Sequence, residues 1–133
     1  MMRLTKSLTA LAAVAAITAA GPAFAQRATY CNGNLVANSF YSNVLPASGG
    51  ANVEYHGQFQ NQDPQRRALT ATMLTVGRIG NFTVLRPVAR FDLNPYEQKD
   101  VTLLALHTSS QSGAGAPPPF TVGQTIRFSC TFR

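Results

Sequence analysis

A chain of 133 residues with 11 basic and 5 acidic side chains carries a formal charge of +6, and 45% of its residues are hydrophobic. That length suits one domain. The basic residues are scattered, with Arg66-Arg67 as the one adjacent pair, so the basic stripe with interleaved aromatics that marks a nucleic-acid binder is missing and no nucleic-acid partner is expected.

Residues 1–25 have the three parts of a secretory signal. Arg3 and Lys6 give a positive start, Leu8 to Ala20 form an uncharged apolar run, and Gly21-Pro22 precede Ala23-Phe24-Ala25. Small residues at −3 and −1 predict cleavage between Ala25 and Gln26. The apolar run falls short of the roughly 20 residues a spanning helix needs, and no later stretch is long enough, so no membrane span is expected. Cys31 lies too far past the cut for lipidation. The mature chain, residues 26–133, has nine basic against five acidic residues, a net +4. It is expected in the periplasm or outside the cell.

The mature chain reads as short strands divided by Gly, Pro, Asn and Asp. Asn32-Gly33-Asn34 is a turn, and Leu35 to Tyr41 a first strand. Val44 to Ala51, with Pro46 and Gly49-Gly50, reads as a connection. From Val53 the alternation is clean: Val53, Tyr55, Gly57 and Phe59 on one face, Glu54, His56, Gln58 and Gln60 on the other. Asn61 to Gln65 is a turn around Pro64. Leu69 to Val76 is a strand, and Gly77 to Asn81 a turn. Phe82 to Arg86 and Ala89 to Leu93 are short strands split by Pro87. Asn94 to Glu97 turns into Val101 to His107, whose apolar run marks a central strand. Ser109 to Pro119 is a loop rich in Ser, Gly and Pro. Gln124 to Phe132 closes the chain, with Ile126, Phe128, Cys130 and Phe132 facing in. No helical periodicity is found.

Seven or eight strands in about 100 residues predict an all-β, two-layer antiparallel β-sandwich, with a small closed barrel as the alternative. Cys31 and Cys130 are the two cysteines, and an even count in an exported chain favours a disulfide between them. An intermolecular bridge and free thiols are the alternatives. The pair would hold the first strand beside the last.

Phe91 and Leu93 run into Asn94-Pro95, and Val101-Thr102-Leu103 follows. This stretch, Ala89 to Leu106, resembles an element of bacterial immunoglobulin-like and fibronectin-III-like domains. Phe59 to Pro64, leading into Leu69 to Met73, is similar to their adjacent strand pair. The likeness covers a third of the chain and implies a fold, with no activity attached. The chain departs from antibody domains in having no Trp and in placing its cysteines near the ends.

Chemistry-bearing residues are few. Glu54 and His56 share a strand face and are a candidate pair for proton exchange or binding, but two ligands are too few for a closed metal site. His107, Ser109 and Asp92 make a conceivable triad with no nucleophile elbow to hold it. Arg66 and Arg67, with Arg78, Arg86 and Arg90, could gather at one end and meet an anionic partner. No phosphate loop or dinucleotide fingerprint is present, and Asn81-Phe82-Thr83 is a glycosylation sequon by chance. No catalytic residue, metal or cofactor is therefore expected. The expected function is a non-enzymatic interaction module of the cell envelope with a protein partner, acting through a sheet edge or through Asn61–Arg67 and Ser109–Pro119. A structural subunit of an envelope or pilus-like assembly is the second reading. A small hydrolase or metal-binding protein is the third.

Overall fold

The computed structural model describes residues 27–74, 76–87 and 90–133. The expected signal peptide and its Ala25/Gln26 cut lie outside them, as does Ala89. Among the described residues nine strands follow in chain order: β1 (Ala28–Tyr30), β2 (Leu35–Ala47), β3 (Gly50–Asn61), β4 (Leu69–Met73), β5 (Arg78–Ile79), β6 (Phe82–Leu85), β7 (Arg90–Leu93), β8 (Gln98–Thr108) and β9 (Phe128–Phe132). A helix, α1 (Pro119–Thr125), precedes β9. No helix among the described residues is long and apolar enough to cross a membrane.

The strands form two antiparallel sheets, one ordered β1-β2-β3-β8-β6-β5 and the other β7-β4-β9. This is a β-sandwich-like, all-β architecture. Alternation sends Ala51, Val53, Tyr55 and Phe59 of β3 inward, where they meet Leu69, Ala71 and Met73 of β4. Phe59 anchors the contact between layers, its ring 5.2 Å from Phe91 of β7 and 5.3 Å from Phe128 of β9. Aromatic rings at such distances and tilts add to the gain from area burial.

Cys31 and Cys130 are bonded, with Cα atoms 6.1 Å apart and 99 residues between them. Cys31 begins the turn after β1 and Cys130 lies in β9, so the bond ties the large sheet to the small one as well as the first strand to the last.

Three expectations are corrected, besides the turn expected over Gly77 to Asn81, which holds β5. The segment Val44–Ala51 is no connection: β2 runs to Ala47 and pairs with β3 up to Ala47↔Gly50. The two turn residues are Ser48 and Gly49; a turn this tight needs backbone that favours positive φ, and Gly49 (+75°) supplies it. Pro46 is tolerated because β2 is an edge strand here. Second, Gln124 and Thr125 end a helix and belong to no strand. Pro119 suits the first helical position, which needs no N–H. Val122 and Ile126, four residues apart, both turn inward and are fully buried. One apolar pair is too short a pattern for helical periodicity to register. Third, the strand expected to reach Val76 pairs only as far as Met73.

Loop 109–118 lies beside the β2–β3 hairpin, with Gly113 against Val44 and Val53. The buried phenol of Tyr55 donates to Pro117 O at 2.7 Å. Phe40 of β2 covers α1 at Gly123, where a Cβ would run into its ring.

Candidate functional site

The outer face of the large sheet carries a polar cluster centred on His56. Glu54 and His56 point outward from β3, as alternation requires, and His56 Nε2 lies 3.0 Å from Glu54 Oε1. The register between β3 and β8 jumps from Tyr55↔Leu104 to His56↔Thr102. This bulge seats Thr102 beside the ring, its Oγ1 3.1 Å from Nδ1. From β2, Tyr41 stacks on the imidazole at 4.7 Å and 6°, which leaves His56 8% exposed. The Tyr41 hydroxyl donates to Asp100 Oδ2 at 2.6 Å, and that hydrogen bond, first among several causes, raises the phenol's pKa. Asn43 Nδ2 of β2 also lies 3.3 Å from Nε2, so Glu54 and Asn43 stand at one ring nitrogen and Thr102 at the other, and each nitrogen has a partner.

The cluster's chemistry is limited by its shape. Glu54 stands at Nε2, while Asp100 Oδ1 is 3.9 Å from Nδ1. A cation on either nitrogen thus meets one carboxylate and not the other. No three His, Cys, Asp or Glu side chains among the described residues gather for a metal ion. Thr102, His56 and Glu54 have the order hydroxyl, imidazole, carboxylate. The groove beside them, lined by Glu54, Arg86, Thr102, Leu104 and Ala105, holds about 160 Å³, below the roughly 300 Å³ at which small-molecule sites begin.

Arg66 and Arg67 are placed at the Asn61–Arg67 turn. Asp63, 2% exposed, accepts from Arg67 Nε at 2.8 Å and Nη2 at 3.2 Å. It also accepts from the backbone N–H groups of Arg67 and Gln65. These hydrogen bonds, the guanidinium's first, lower the carboxyl pKa to about 2. Arg67 also lies 4.3 Å above the Phe132 ring. Its charge is spent within the fold. Arg66, at φ +57°, is exposed with its guanidinium 5.9 Å from the Tyr96 ring centre.

The arginines do not gather. Arg78 donates to Asn81 O, Arg86 lies by Glu54, and Arg90 flanks Asp92 on the small sheet. Nor does the conceivable triad meet. His107 contacts Asn52 Oδ1 at 3.0 Å on the large sheet, while Asp92 takes the Thr70 hydroxyl at 2.6 Å on the small one.

Beside the His56 cluster runs a feature the sequence reading missed. β1 pairs only with Leu35, Val36 and Ala37 of β2. From Asn38 to Ala47 the outer edge of β2 pairs with no strand among the described residues. Tyr41, Val44 and Leu45 on it are 37%, 47% and 39% exposed. Val44 and Leu45 point to opposite faces and are exposed alike. Edge strands are normally guarded by charge, proline or a bulge; this edge has Pro46 and a register shift between Ala37 and Ser39, but no charged residue occurs between Arg27 and Glu54. That gap was the available signal. No known family model matches the chain, nor does any curated protein or solved structure, so the chemistry of these surfaces alone bears on function.

Proposed function

We propose that the protein is a non-enzymatic interaction module of the bacterial cell envelope, immunoglobulin-like in fold, that takes up an extended segment of a partner protein along the edge of β2. The observation that carries this reading is ten consecutive edge residues without a guarding charge and with three exposed apolar side chains. Their outward main-chain groups offer a partner strand a ladder of hydrogen bonds. The partner would continue the line of β1. The Cys31–Cys130 bond supports an oxidising compartment, and two antiparallel sheets joined by it support the immunoglobulin-like reading.

A photo-crosslinking residue at Asn43 or Leu45, in cells exporting the protein, tests this. Adducts to one envelope protein are expected from these positions and not from Thr131 on the small sheet. Val44→Lys should abolish them. Equal adducts from Thr131, or adducts unaffected by Val44→Lys, would overturn the proposal. The lack of charge also favours the second reading, a subunit of an envelope assembly, because identical uncharged edges do not repel. Adducts between two copies would select it. Hydrolysis or metal binding through Glu54, His56 or His107 has less support, given the shallow groove and the split carboxylates.

A further inference from the structure

A cleft of about 460 Å³ opens between β1 and α1, away from the His56 face. Its lining includes Arg27, Tyr30, Phe120, Gln124, Arg127 and Phe128. The apolar part is built from contacts within the fold. Tyr30 meets Phe128 edge-on at 5.0 Å, the Tyr30 hydroxyl is spent on Gly123 O at 2.6 Å, and the bonded Cys31 also contributes to the wall.

The charge in the cleft is uncompensated. Neither Arg27 nor Arg127 has a carboxylate within 4.0 Å among the described residues. Arg127 makes one long contact, Nη1 to Gln124 O at 3.5 Å. All five acids of the chain are engaged elsewhere: Glu54 with His56, Asp63 with Arg67, Asp92 with Thr70, Glu97 with the Asn94 N–H, and Asp100 with Tyr41. Two guanidinium groups beside an aromatic wall match a ligand with a negative head and an apolar body. Guanidinium hydrogen bonds to carboxylate or phosphate are among the stronger polar contacts, and the volume falls within the range of small-molecule sites.

We propose that this cleft binds a small amphipathic anion, a carboxylate or phosphate head on an apolar body, held by Arg27 and Arg127 against Tyr30, Phe120 and Phe128. The test uses isotope-labelled protein purified after export. It is titrated with 4-phenylbutyrate, with the neutral 4-phenylbutanamide, and with vesicles of phosphatidylglycerol. Saturable NMR shifts confined to residues 27–31 and 120–128 are expected with the acid and not with the amide. Removing one charge-assisted contact should weaken binding by about tenfold or more, in Arg127→Gln and separately in Arg27→Gln, an exposed site whose loss leaves the fold intact. Binding to the vesicles alone, lost in Arg127→Gln, supports the same chemistry with a lipid as its source. Equal binding of acid and amide, scattered shifts, or undiminished affinity in both variants would overturn the proposal.

Discussion

Asp63 shows how one side chain can hold a turn. Its two oxygens serve the Arg67 guanidinium and two backbone N–H groups, which moves its pKa from the ordinary 3.8 to about 2. Because the folded pKa is depressed, the stabilisation is complete above the unfolded value. It is lost as pH falls from about 4 toward 2. Asp63→Asn should therefore lower the thermal midpoint at pH 7 and flatten its dependence on pH across that window, which calorimetry at several pH values would check. Gly123 works by absence: α1 approaches β2 only because no Cβ meets Phe40. Gly123→Ala should cost about 1–3 kcal/mol in urea unfolding, the usual penalty of overpacking. The turn itself was visible in Pro64 and its polar neighbours. The ion pair within it was not, since an i,i+4 pair outside a helix meets only when the chain folds back, and here Arg66 does so at positive φ.

Among the elements, β2 and β3 differ in what covers their edges. β3 lies between β2 and β8, so both its rows of main-chain groups are paired, while β2 beyond Ala37 has one row satisfied. Amide hydrogen exchange should find β3 slow, with β2 from Asn38 to Ala47 fast at the outward-facing amides. Those amides should become protected when the partner binds. Leu45→Lys touches an exposed site and should change unfolding free energy by less than about 0.5 kcal/mol, separating a binding defect from a folding defect. Glu54 and His56 could be paired from sequence because strand alternation is local. Tyr41, Asp100 and Thr102 could not be added, because their meeting depends on the register of three strands and on a bulge at Tyr55/His56.

At the scale of the whole molecule, the Cys31–Cys130 bond closes nearly the entire domain into one loop. Restricting the unfolded chain in this way is typically worth about 2–5 kcal/mol. The double variant Cys31→Ser, Cys130→Ser should lose that much in denaturant titration while keeping a β-type far-UV spectrum, since the Phe59, Phe91 and Phe128 contacts between the layers do not involve sulfur. The sequence by itself determined the strand-rich class and the inward faces of β3, β4 and β9, because period-two polarity and turn residues are written in neighbouring positions. Only the tertiary structure decided which strand would be left at an edge, that Asp100 and Tyr41 would close over His56, and that Arg27 and Arg127 would share a cleft. Those outcomes depend on contacts between residues tens of positions apart, fixed when the two sheets bury a common core.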